Sequence, residues 1–350
     1  MEVRYMNVAK GIGIIAVVIG HSTTNINLLN FIYLFHMPLF FFVSGYFYKD
    51  KNTLSPWEFF KKKVTGLYVP FITFELISLV LHNAFLNWGI YTSQMTNNYS
   101  IQEFIAIAQQ ILSFNHTQIM TFTFWFFPSL FFSSMMFLMI NMVANKAGRY
   151  SEVCKLIMVV AISAAGFILI KHNIVLSWSL RTSMVAIVLF YCGYLFKRFE
   201  DKIKSNIGIA IFCAVVLLFN MVKRVDMSTD VYINPVFFYM NALMGIYLII
   251  FISKFICRKY GSLNFLNYCG KKTIIIMATQ YLGLYYGRMI TSYIEANIYS
   301  KMQVSSVIVS NTWVIVALCG LFVPLAIQYI IDRLVTLKMN ARKQAITLKV

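Results

Sequence analysis

Apolar positions in this chain come in long unbroken runs, separated by short polar stretches rich in Lys and Arg. Runs long enough to cross a bilayer, about 20 residues each, fall near residues 8–27, 31–48, 64–88, 119–143, 153–171, 176–196, 206–222, 236–256, 273–290 and 308–331. The pattern predicts an all-α, polytopic membrane protein of about ten transmembrane helices. It forms one membrane-embedded domain over residues 1–350, with a basic tail at 332–350. Between the third and fourth runs, residues 89–118 contain no Lys or Arg. There Ile101, Phe104, Ile105, Ala108, Ile111 and Leu112 follow helical spacing, which predicts an interfacial helix on the outer leaflet.

Composition agrees with the pattern. Hydrophobic residues make up 59% of the chain and charged residues 12%, about half the charged fraction of a soluble domain. A net charge of +18 raises the question of nucleic acid. The positions of the charges answer it, because they cluster between the apolar runs. With the N-terminus inside, 24 of the 30 Lys and Arg residues fall on the cytoplasmic side, as the positive-inside rule requires. Both termini are then cytoplasmic, and no nucleic-acid partner is expected. The first apolar run ends at His21 with no small-residue cleavage site, so it reads as a retained span. The six cysteines show no metal-ligand or disulfide spacing, and no metal or bound cofactor is expected.

Ionisable groups inside a bilayer cost roughly 2.5–3.5 kcal/mol each on insertion scales, so each requires a reason. In "KGIGIIAVVIGHS" Lys10 and His21 stand eleven residues apart, almost three helical turns, which places them on one face about 16 Å apart. His36 lies in the next run, joined by a very short outer loop, so both imidazoles fall at similar depth. Pro38 removes a helix hydrogen bond beside His36 and frees the Leu34 carbonyl. Glu75 and Arg181 read either as a structural ion pair or as part of a substrate site. His82 and His116 read as solvated near the outer surface. Ser44 reads as a packing partner of Gly45, since no histidine shares its depth.

"YMNVAKGIGIIAVVIGHS" followed by "FIYLFHMPLFFFVSGYFYK" resembles the opening of the integral-membrane acyltransferase family (acyltransferase family 3). That family includes fucose 4-O-acetylase and polysaccharide O-acetyltransferases. Lys10 and His21 fill its basic-residue-to-histidine pattern, and Phe35 to Gly45 fill its second-span motif. "KKKVTGLYVPF", "FWFFPSLFF" with Trp125, and "LSWSLRTSMVAIVLFYCGYLF" with Arg181 resemble later segments. Asn7, Gly66, Arg181 and Gln280 depart from the family's usual aspartate, basic residue, acidic residue and histidine.

The resemblance implies transfer of an acyl group, usually acetyl, from cytoplasmic acyl-CoA to a hydroxyl of an envelope glycan or lipid-linked sugar. The location would be the cytoplasmic (inner) membrane. On that reading His21 and His36 are the catalytic candidates, with His21 as general base and an acyl-histidine as a variant. Lys10, Lys61, Lys62 and Lys63 are candidates for the acyl-CoA phosphates. Glu75, Trp125 and Arg181 form a candidate intramembrane polar site. The alternative classes are a polysaccharide flippase or other transporter, which should show repeats with paired broken helices, and an envelope-glycan polymerase, which should show a large outer catalytic loop.

Overall fold

The computed structural model describes residues 2–91, 96–203, 205–261, 264–299 and 311–347. Lys204, Lys301 and tail residues 348–350, which the sequence reading used, lie outside them. The chain is all-helical, 82% helix without strands among the described residues. Long apolar segments satisfy their own backbone hydrogen bonds only as helices, which is what a bilayer demands.

Two antiparallel rods open the chain. The first is α1 (Glu2–Ser22); the second is broken into α2 (Ile26–Tyr33) and α3 (His36–Tyr46). The Asn25 side chain caps α2 by accepting from the backbone N–H groups of Asn27 and Leu28. The break falls at Leu34–Phe35, where Phe35 takes φ −143° and ψ −17°. Pro38 then sits in the first turn of α3, where a missing N–H breaks no helix bond. After α4 (Pro56–Lys63) and a wide π-type turn at Val64–Tyr68, α5 (Val69–Asn87) runs back across.

The helical spacing read at 101–112 forms helix α6 (Ile101–Leu112). Its start is fixed by a capping box in which Ser100 and Glu103 exchange side-chain and backbone bonds. Its apolar side is divided: Phe104, Ala108 and Ile111 pack on the core, while Ile101, Ile105 and Leu112 are exposed.

Then follow α7 (Phe126–Ala144), α8 (Ser151–Lys171), α9 (Leu180–Phe199), α10 (Ile207–Asn220), α11 (Pro235–Tyr260), α12 (Asn264–Lys271), α13 (Thr273–Ile294) and α14 (Trp313–Thr347). Among the described residues seven helical segments are long and apolar enough to cross a membrane, as in a multi-pass membrane protein. The difference from ten has physical reasons. Phe126–Lys171 counts once but holds two helices separated by a turn at Gly148, whose φ is +55°. The run near 206–222 forms α10, whose 14 residues span only about 21 Å. The run near 273–290 forms α13, which Gln280, Arg288 and four tyrosines make more polar than the seven.

Helix α3 is the packing centre. It lies against α9 along paired glycines: a Cβ on Gly45 would fall 1.8 Å from the Phe190 carbonyl oxygen, and one on Gly193 1.9 Å from that of Phe42. Small residues let membrane helices approach to backbone contact, where dispersion and polar contacts do the work that hydrophobicity does in water. At the end of α1 predicted to face the cytoplasm, Glu200 ties four helices together. It accepts from Tyr5 at 2.5 Å and Tyr46 at 2.7 Å, and pairs with Lys254 at 3.0 Å.

Candidate functional site

His21 occupies the last turn of α1, and its backbone carbonyl accepts from Arg288 of α13 at 3.3 Å. His36 begins α3 just after the break and is 4% exposed. The His36 Nδ1 lies 2.9 Å from the Ile32 carbonyl oxygen, four residues back. A carbonyl only accepts, so Nδ1 carries the proton of the neutral ring and Nε2 keeps the lone pair. The broken second span thereby sets the tautomer of its own histidine.

Tyr33, the last residue of α2, has its ring against both imidazoles. Its ring centroid is 4.8 Å from that of His36 and 6.5 Å from that of His21. Phe122 closes on the other side of His21, edge-on at 4.7 Å. His21 and His36 line one cavity, together with Tyr33, Thr123, Trp125 and Asp226. The cavity volume is about 30 Å³, room for one or two waters.

Two loops wall this cavity. The first, between α6 and α7, is held by Glu75, which is wholly buried in α5. The Glu75 carboxylate accepts from the Thr121 hydroxyl at 2.7 Å, the Thr117 hydroxyl at 3.2 Å, and the Thr117 and Gln118 N–H groups at 3.3 and 3.2 Å. His116 Nδ1 adds a contact at 3.3 Å. This loop delivers Thr123 and Trp125 to the cavity and Phe122 to the His21 ring, and the Thr123 hydroxyl donates to the Met277 carbonyl at 3.3 Å.

The second loop joins α10 to α11. Asp226 and Val231 exchange two backbone bonds of 2.9 Å, making a tight closed turn. Asp226, 6% exposed, accepts the Ser228 hydroxyl at 2.6 Å and its N–H at 3.0 Å, and pairs with Arg224 at 3.1 Å. At the other end of the turn, Asp230 pairs with Arg181 at 2.8 Å and accepts from Thr182 at 3.1 Å. Burial raises the Asp230 carboxyl above the usual range, and the Arg181 guanidinium opposes that rise.

These contacts correct three expectations. Glu75 and Arg181 are not partners: each anchors a different loop, because Asp230 lies nearer the Arg181 guanidinium. His82 is not solvated; it is fully buried, stacked on Tyr99 with centroids 3.5 Å apart and bonded to the Asn97 carbonyl and the Thr96 hydroxyl. His116 is half-buried and serves Glu75. Of the three residues read as an intramembrane polar site, only Trp125 reaches the histidine cavity.

The lysines divide. Lys10 lies on the same continuous helix as His21. Helix α12, which ends at Lys271, presses on α1 there, since a Cβ on Gly270 would meet the Asn7 carbonyl oxygen at 1.8 Å. Lys61, Lys62 and Lys63 sit in the last turn of α4, which packs on α7. The ammonium groups of Lys61 and Lys63 lie over the rings of Trp57 and Phe59. Lys10 thus stands on α1 beside α12, and the other three stand on α4 beside α7. Among the described residues no His, Cys, Asp or Glu group has the arrangement of a metal site.

The arrangement can do acid–base chemistry. It offers two imidazoles in a confined space, one with its tautomer fixed, and a buried carboxylate on the same wall. Comparison with curated proteins and with solved structures gave no match. Comparison with family models gave one: acyltransferase family 3, described as an acyltransferase domain, over residues 3–333. Since that match takes in both histidines, both loops and all the helices that carry them, the chain belongs to the membrane acyltransferases of family 3.

Proposed function

We propose that this chain transfers an acyl group, acetyl foremost, from cytoplasmic acyl-CoA to a hydroxyl of a cell-envelope glycan or lipid-linked sugar, acting in the cytoplasmic membrane. The observation that carries the reading is the shared cavity of His21 and His36, with Lys10 three turns down the helix that bears His21.

His21 takes the proton from the acceptor hydroxyl as its oxygen attacks the thioester carbonyl. The tetrahedral intermediate collapses, the C–S bond breaks, and the imidazolium returns its proton to the departing thiolate. His36, with its lone pair on Nε2, is suited to accept an N–H from His21 and orient it, rather than to donate to the oxyanion. The Asp226 carboxylate on the same wall favours the transient imidazolium. Lys10 and Lys271 offer cations to the donor's phosphates at the inner end of α1, and the lysines of α4 offer a second basic stretch.

The test supplies radiolabelled acetyl-CoA to membranes containing the protein or its His21→Ala variant, and follows label into alkali-labile esters of envelope glycan. Loss of a general base costs about 10²–10⁴ in rate, so label should fall to near background while folded protein persists. Undiminished label in the variant would overturn the role of His21.

A further inference from the structure

A second polar cavity, of about 440 Å³, opens at the far end of α3 from His36. Its walls are the residues that follow α3, the start of α8 and the end of α9. The histidine cavity shares none of them.

Donors outnumber acceptors here. Lys49, Lys155, Lys197 and Arg198 line the cavity against two carboxylates, Asp50 and Glu152. Both carboxylates are engaged: Glu152 pairs with Lys155 at 3.1 Å and Arg198 at 2.7 Å, and Asp50 accepts the Tyr194 hydroxyl at 2.9 Å. Lys155 is 4% exposed, which is costly for an ammonium. Among the described residues one carboxylate oxygen takes one of its three N–H donors, and the face of the Tyr194 ring lies 5.5 Å away. Tyr48 is 5% exposed, and its hydroxyl has no hydrogen-bond partner among the described residues. Leaving a buried polar group unpaired is unfavourable. Two buried donors and an excess of positive charge thus surround a space within the ordinary size range of ligand sites.

We propose that this cavity binds a phosphoryl group, through Lys155 and Tyr48 at its base and through Lys49 and Arg198 at its rim. A phosphate is the matching chemistry because it brings several acceptor oxygens and negative charge without any donor of its own being required. The group arrives either on a soluble nucleotide or on an anionic lipid headgroup at the membrane surface. The site stands independently of the acyl-transfer reading.

The experiment uses the full chain in phosphatidylcholine nanodiscs, in two arms. One titrates adenosine 3′,5′-bisphosphate by calorimetry; the other measures retention of phosphatidic acid by native mass spectrometry. Each is repeated with Lys155→Met and with Tyr48→Phe. The second variant removes one oxygen that has no partner, so it leaves the fold intact. Loss of one charge-assisted bond should weaken binding about tenfold in Lys155→Met and somewhat less in Tyr48→Phe. Weakening in the first arm identifies a soluble phosphate ligand, and in the second a lipid. Affinities unchanged by Tyr48→Phe in both arms, or no binding by the unaltered protein in either, would overturn the proposal.

Discussion

The Glu75 carboxylate receives the Thr121 hydroxyl at 2.7 Å, one residue from the Phe122 ring that rests on His21. A charge buried in a membrane helix thus holds a loop rather than a counter-charge, and the loop in turn shapes the histidine cavity. Glu75→Ala would strand several buried donors at once. The expected loss is about 3 kcal/mol of stability, read as a lowered unfolding temperature in detergent. Glu75→Gln, which keeps one acceptor oxygen, should lose less.

The second loop depends on Arg181 and Asp230, whose side chains are 19% and 13% exposed. A double-mutant cycle with Arg181→Ala and Asp230→Ala should give a coupling of ~1–2 kcal/mol. Either single variant should speed proteolytic cleavage within residues 221–234. A coupling near zero would show that the turn is held without the pair.

Gly45→Ala would drive a methyl into the Phe190 carbonyl, and Gly193→Ala would do the same to Phe42. Overpacking of this kind costs about 1–3 kcal/mol. Because α3 also carries His36, acyl transfer should fall along with thermal stability. An unchanged unfolding temperature in both variants would mean that the helices part at little cost.

The start of α6 should respond to acid. Backbone and hydroxyl hydrogen bonds from Ser100 hold the Glu103 carboxyl below its ordinary value. The folded pKa is the lower one, so the cap stabilises fully above the unfolded value of about 4.3. That contribution disappears as pH falls through the folded pKa. Amide exchange in the first turn of α6, corrected for the intrinsic rate, should show protection falling on acidification. Ser100→Ala removes the hydroxyl bonds but keeps the backbone N–H that Glu103 accepts, so protection should be lower throughout and should fall less on acidification.

The sequence disclosed Lys10, His21 and His36 because helix geometry alone relates them: eleven residues on one rod, and a short loop setting two depths equal. It marked Glu75 and Arg181 as out of place, since a charge in an apolar run is conspicuous. It did not disclose their partners, which come from loops that tertiary packing folds back into the protein. Asp226 escaped notice for the opposite reason. In "VKRVDMSTDVY" a carboxylate looks like any solvated loop residue, and only the closed turn at Val231 buries it. His82 misled in the same way, because the segment that covers it is polar and reads as surface.

A chamber of about 30 Å³ has consequences for the fate of the acyl group. On the acyl-transfer reading proposed above, a space this tight would admit a thioester carbonyl and a sugar hydroxyl together only if its walls parted. On that reading the same tightness would limit water, the nucleophile that competes with the acceptor at His21. The loops held by Glu75 and by the Arg181–Asp230 pair would then set how often an activated acyl group is lost to hydrolysis.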